Sequence, residues 1–410
     1  MQHNHENSKK PRQPLKRIAY IVMGFPQVSE TFIAEEAQSL KKFGIEMMLI
    51  ALNEVNFEII HSSAKALLDQ NQVRYVSDTN KLKLLGALLQ LALKKPLTVF
   101  NTLRKALAHQ QRWLYFQALP YAAELIENQT DYLHAHFADK NLLFAAVLSE
   151  WTGIPFGFTA HRYDILDNPL PVAQFSDLAN QACAVVTVSE YNKRFIIEKF
   201  SLKPEQIYVA YNGICIEMFQ PSHNPTEQST LRLINVGRLV PVKGQDILLE
   251  ALHRVREQGF SVHLQIIGGG PLQSELEAQT QRLSLSDCVE FLGARSQEQV
   301  CQYLDKADVF VMPSRSEGFA VACLEAMAME LPVIASNVTG FPEAVTEHVT
   351  GLLLPVENPE ALANAIVWMI QHPEQRLAMG KQGREMVVNK FTREKVTAGL
   401  IDYWQKAIQK

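Results

Sequence analysis

Short, unbroken apolar runs alternate with segments of helical periodicity along most of the chain. RIAYIVM (17–23) is one such run, and it stops at Gly24 and Pro26. TFIAEEAQSLKKFG then spaces its apolar side chains at helical intervals and closes on Gly44, a residue type that ends helices in the left-handed region. IEMMLIAL follows as a second continuous run. A strand with no polar alternation is buried on both faces, which points to a parallel sheet under helices. The order strand, loop, helix, strand is the unit of a doubly wound sheet. Further strands are expected at 132–134, 156–159, 184–188 and 207–210. At 221–230 the pattern breaks: PSHNPTEQST is polar and contains proline, as linkers do. Beyond it the rhythm restarts with LRLINVGRL, a helix in DILLEALHRVREQG and the strand HLQIIGGG. Strands at 289–292, 309–312 and 332–335 complete the second half.

The fold class is therefore α/β, with two Rossmann-like domains facing each other across a cleft, the default ligand site. The expected division is a flexible tail at 1–16, a first domain at 17–220, a linker at 221–230 and a second domain at 231–395. A C-terminal helix at 396–410 is expected to return to the first domain. Bulk composition alters little. At 47% apolar and 20% charged the chain is that of a globular protein. A net charge of −4 gives no reason to expect nucleic acid as a partner. The five cysteines are far apart with no Cys-x-x-Cys pair, which fits a reducing cytoplasm better than a disulfide framework.

One segment departs from the rest. Residues 81–112 contain no Asp or Glu, yet carry Lys81, Lys83, Lys94, Lys95, Arg104, Lys105 and Arg112 among many leucines. Two basic amphipathic helices broken near Pro96 are expected, within a helical segment reaching 126. They suit either an anionic membrane surface on the cytoplasmic side or a solvated rim of the first domain.

Candidate chemistry gathers in the second half. IIGGGP resembles a dinucleotide loop, but the G-x-G-x-x-G spacing from Gly268 meets Gln273, so NAD is not expected. VGRLVPVKG puts Arg238 and Lys243 after the first strand of the second domain, where two cations suit a diphosphate. In PSRSEGFAVACLEAMA a helix is expected to start near Gly318 and Phe319, exposing amide donors that favour an anion. Glu317 would sit in the loop beside that anion, and Glu325 roughly two turns into the helix. Carboxylates beside a phosphate are repelled unless they accept from hydroxyls, so sugar and ribose hydroxyls are their natural partners. On its own, Glu325 reads more readily as a solvated helix residue.

GRLVPVKG, IIGGGP and SRSEGFAVACLEAMA, in this order and spacing, resemble the retaining GT-B glycosyltransferases of family 4. The resemblance implies that Arg238, Lys243 and the amides of Gly318 and Phe319 hold the donor diphosphate. It implies also that Glu317 touches the donor sugar and Glu325 the ribose. MGFPQVSETFIAEEAQSLKKFG, HAHFAD and FGFTAHRYDI are similar to the colanic acid and exopolysaccharide subgroup. There the first-domain histidine near the donor sugar maps to His161, giving His161 and Glu317 as the catalytic candidates. Gly24, Glu30, Thr31, Arg162 and Asp164 are the cleft or acceptor candidates. The implied substrates are a UDP- or GDP-linked sugar and a glycan or lipid-linked saccharide; no cofactor or metal is implied.

His134 and His136 are expected to face opposite ways on their strand, and without a third ligand they make no metal site. Three positions depart from the family: Cys215 after Asn212-Gly213-Ile214, Glu330 where glycine is usual, and Arg162 in place of a small residue. Arg162 favours an anionic acceptor. Two other functions are compatible with these motifs: a GT-B phosphorylase or epimerase, and a silent membrane-associated scaffold that binds nucleotide sugar.

Overall fold

Each half of the chain builds one parallel sheet. The computed structural model describes residues 14–27, 31–55, 62–78, 80–108, 111–222 and 230–409. The first sheet contains β1 (Arg17–Phe25), β2 (Glu46–Glu54), β3 (Val73–Tyr75), β4 (Tyr132–His136), β5 (Phe156–Ala160), β6 (Ala184–Thr187) and β7 (Ile207–Val209). Their order is β3-β2-β1-β4-β5-β6-β7. The second contains β8 (Leu231–Val236), β9 (Val262–Ile267), β10 (Val289–Gly293), β11 (Val309–Met312), β12 (Val333–Ser336) and β13 (Gly351–Leu354). Its order is β10-β9-β8-β11-β12-β13.

Both sheets are covered on both faces, and this is why the strands read as apolar runs. On β1, Ala19 and Ile21 enter one core while Ile18, Tyr20 and Val22 enter the other. On β11, Phe310 and Met312 face one way, Val309 and Val311 the other. The alternation is between two apolar layers, so hydropathy along the strand hardly varies.

The helices Lys81–Lys94 and Pro96–Ala108 part at Lys95, because Pro96 has no amide donor and its ring blocks continuation of the first helix. The chain passes between the tandem domains twice. Ile214 N–H donates to the Phe391 carbonyl at 3.0 Å and Arg393 N–H to the Ile214 carbonyl at 2.8 Å, so the two crossings run side by side. A Cβ at Gly213 would lie 2.8 Å from Arg393 Cα, which is why glycine stands there. The helix Arg393–Ala407 then lies on the first domain, with Trp404 fully buried against Tyr132 and His134.

Glu330, which replaces the usual glycine, has φ of 60°. The backbone there requires the left-handed region, so the departure costs local strain without altering the course of the chain. All five cysteines are unpaired thiols.

Candidate functional site

Each sheet reverses its strand order at one place, between β1 and β4 in the first and between β8 and β11 in the second. Loops leaving the C-terminal ends of such strands diverge and leave a crevice. All the described candidate residues of the second domain except Glu325 lie on the two loops that flank its crevice.

The loop after β8 carries Arg238 and Lys243. It is held from beneath by Gln245, fully buried, whose Nε2 donates to the Arg238 carbonyl at 3.2 Å and to Asn235 Oδ1 at 3.4 Å. Asn235 Nδ2 in turn donates to the Val311 carbonyl at 2.7 Å, tying β8 to β11. Gly244 has φ of +69°, and a Cβ there would overlap the Pro313 carbonyl. The glycines of IIGGGP have a similar explanation. A side chain at Gly268 or Gly270 would overlap the carbonyls of Gly237 or Leu239, so these glycines let two loops pack.

Lys243 Nζ donates to Glu317 Oε1, joining the loop after β8 to the loop after β11. Both side chains are largely withdrawn from water, at 17% and 12% exposure, while Arg238 is exposed on the same rim. The loop bearing Glu317 is fastened in turn: its N–H donates to Thr339 Oγ1 at 2.8 Å, and Gly340 permits close contact with the Gly318 carbonyl. Phe319 is buried with its ring against Tyr211 and Phe391. Drawing that ring into the core keeps residues 318–320 out of the helix, which starts at Val321 and not at Gly318–Phe319. Gly318 and Phe319 therefore offer loop amides ahead of the helix, and Glu325 lies one turn in rather than two.

Glu325 is not on a solvated face. It is buried, accepts from Gln297 Nε2 at 3.1 Å, and sits within electrostatic reach of Glu35 and Arg393. Burial, reinforced by Glu35 and opposed by Gln297 and Arg393, pushes its carboxyl up to about 7.

In the first domain His161 directly follows β5 and is buried, its ring near Phe32 and Phe137 with His136 stacked at 5.8 Å. Burial, and then His136, hold its imidazole well below the usual histidine range, so it is neutral near pH 7. Its Nε2 has no partner among the described residues. Asp164 is wholly buried and touches no cleft: its carboxylate accepts from Ala138 N–H at 2.5 Å and His161 N–H at 2.8 Å. It positions the histidine loop, although burial pushes its carboxyl well up against the pull of those amides. Arg162 crosses to the second domain, donating through Nε to Ser316 Oγ at 2.6 Å and through Nη1 to Asp167 at 2.5 Å. Thus His161 and Glu317 belong to adjoining residues of one interdomain contact. Gly24 is buried, with room for a Cβ denied by Val55 at 2.6 Å. Glu30 lies outside the described residues, as does the side chain of Thr31, which opens the helix Thr31–Lys42.

His134 and His136 share one face, with ring centroids 5.2 Å apart; residues two apart on a pleated strand must do so, and the opposite-facing expectation had the period wrong. Both are buried because that face is covered by helices. Beside them is a polar layer with no sequence signal: Tyr20 donates to Glu36, and Arg393 pairs with Glu35 from 358 positions away. Glu36 is held below the usual range because its bonds to His136 and Tyr20, with Arg393 nearby, together outweigh burial, the largest single influence.

The family described as Glycosyltransferase Family 4 matches residues 29–217, and Glycosyl transferases group 1 matches residues 218–386. An uncharacterized glycosyltransferase of Methanocaldococcus jannaschii is 33% identical over 280 residues, covering 67% of this chain and 76% of its own. The putative colanic acid biosynthesis glycosyltransferase WcaL of Escherichia coli is 25% identical over 416 residues, covering 95% and 99%. The structure of HepE of Anabaena in complex with UDP superposes with a TM-score of 0.74 at 21% identity, covering 95% of this chain and 100% of that one.

Proposed function

This chain belongs to the family 4 glycosyltransferases of GT-B fold, and we propose that it moves a glycosyl group from a nucleoside diphosphate sugar to a hydroxyl of a glycan or lipid-linked saccharide, with retention at the anomeric carbon. The observation that carries this reading is the Lys243–Glu317 pair at the switch point of the second sheet, with Arg238 on the same loop.

The chemistry follows from charge. Breaking the bond between the anomeric carbon and the diphosphate oxygen leaves negative charge on the diphosphate. Arg238, Lys243 and the amides of Gly318 and Phe319 are fixed donors for that charge, the arrangement that lowers such barriers most. Two cationic side chains do here what a divalent ion does elsewhere, so no metal is required in this reading. Glu317 accepts from a donor-sugar hydroxyl and keeps Lys243 oriented. Glu325 accepts from ribose hydroxyls. His161, neutral and with an Nε2 that no described residue engages, bonds a sugar hydroxyl from the opposite wall. With no carboxylate nucleophile presented by the first domain among the described residues, the acceptor hydroxyl attacks from the face the leaving group departs, its proton passing to the departing diphosphate oxygen. HepE was crystallised with UDP and WcaL is named for colanic acid, which favours a UDP-linked donor and an exopolysaccharide or related cell-surface product.

Proton NMR of the product formed from UDP- and GDP-sugars tests this. The new linkage should show the donor's anomeric configuration, and Glu317→Ala should lower turnover by about 10²-fold or more without unfolding the protein. An inverted product would refute retention.

A further inference from the structure

The helices Lys81–Lys94 and Pro96–Ala108 present an apolar face that no described part of the chain covers. Leu82, Leu85, Leu89 and Leu93 on the first are between 57% and 87% exposed. Leu97, Phe100 and Leu107 continue the stripe on the second, each at least 66% exposed. The spacing is three and four, with one longer step, so these side chains share one side of each helix. The other side is equally apolar and is used: Ala87, Leu91, Val99 and Ala106 are buried in the first-domain core. Both helices pack there on the helix Arg112–Glu127. A helix pair with one leucine face in the core and a second in water marks a contact surface.

Charge identifies the partner. No acidic residue occurs between Lys81 and Arg112. Lys81 stands at the start of the stripe, Lys94 at its bend, Arg104 and Arg112 near its end, all exposed. Two other cations are engaged locally: Lys95 donates to the Thr152 carbonyl and Lys105 lies 3.4 Å from Glu150. We propose that this face lies on an anionic lipid bilayer, with the leucines at the acyl boundary and the basic residues among the headgroups. At 14 and 13 residues these helices are too short to span, and no helix among the described residues is long and apolar enough to do so. The first follows β3, whose C-terminal end lies at the same sheet edge as the loops after β1 and β4. That helix's other end, at Lys95 on the Thr152 carbonyl just ahead of β5, lies at the opposite end of the sheet, so the bilayer would run along the flank of the first domain away from the cleft. The docking does not rest on the proposed reaction.

Flotation of the full chain with phosphatidylcholine vesicles containing about 30% phosphatidylglycerol tests the proposal, since surface charge of that order attracts basic segments. The protein should float with these vesicles and not with pure phosphatidylcholine. Leu85→Ser, Leu89→Ser and Leu93→Ser combined should abolish flotation with unchanged circular dichroism and unchanged UDP binding. Lys81→Gln, Lys94→Gln, Arg104→Gln and Arg112→Gln combined should weaken it at least about a hundredfold. Absence of flotation by the unaltered protein overturns the proposal. A dimer in sedimentation velocity that the serine variant dissociates, in a protein that does not float, would show that a second copy covers the face.

Discussion

Lys243→Ala is expected to lower turnover by about 10³-fold, measured as nucleoside diphosphate released from the donor sugar. Two losses combine. The diphosphate loses a fixed cation where its charge grows, and Glu317, 12% exposed, loses the partner that compensates its carboxylate. The second loss is structural and should appear separately as a destabilisation on the order of 1–3 kcal/mol in urea unfolding, because an acceptor largely withdrawn from water is left unpaired. The Lys243→Ala, Glu317→Gln double variant should recover much of that stability and none of the turnover. A single variant retaining more than about a tenth of wild-type turnover would remove Lys243 from the chemistry.

Glu325→Gln is expected to stabilise the protein at alkaline pH while weakening its ligand. Glu325 has its carboxyl raised from 4.5 to about 7, by burial first and Glu35 second. Below about pH 4.5 it is protonated whether the chain is folded or not. As pH rises through 7 the unfolded chain has released the proton and the folded one must bury a charge, so stability is lost. The loss approaches about 3 kcal/mol above pH 8. Glutamine removes it, so urea midpoints of variant and wild type should nearly coincide near pH 4.5 and diverge in the variant's favour by pH 8. Ribose binding should move the other way. A glutamine amide accepts from hydroxyls less strongly than a carboxylate, and nucleoside diphosphate affinity should fall by about ten- to a hundredfold. With a 2′,3′-dideoxy nucleotide that penalty should vanish. Equal urea midpoints at both pH values would contradict the buried-carboxylate description.

Under the proposed function, Glu325 is a costly buried carboxylate kept for the ribose it binds. The sequence carries a trace of this, because Glu325 interrupts the apolar segment AVACLEAMA. What it does not carry is the depth of burial. Gln297, the partner that makes burial tolerable, comes from a different helix and has no spacing relation to Glu325.

The strands were legible because doubly covered parallel strands are continuous apolar runs, and β11 matches its expected limits. Ends were less so. The helix after β11 starts two to three residues late because Phe319 finds a tertiary pocket with Tyr211 and Phe391, which no local propensity reports. The placement of Arg238, Lys243 and Glu317 around one switch point could be read from motif order, since the loops after the two neighbouring strands at the reversal flank one crevice. The layer formed by Glu35, Glu36, His136 and Arg393 could not, since Arg393 reaches it only through the returning C-terminal helix. Asp164 shows a third kind of failure. An acidic residue just after His161 reads as a cleft group, yet the π-type turn Tyr163–Asp167 folds it inward to bind amides.

The central claim is that the second domain holds a nucleoside diphosphate through Arg238 and Lys243. Calorimetric titration of the purified protein with UDP, GDP, ADP and NAD, without added metal, tests it most directly. One nucleoside diphosphate should bind with a dissociation constant on the order of micromolar, and Arg238→Ala should weaken it at least about tenfold. Tight binding of NAD with no diphosphate bound would contradict it.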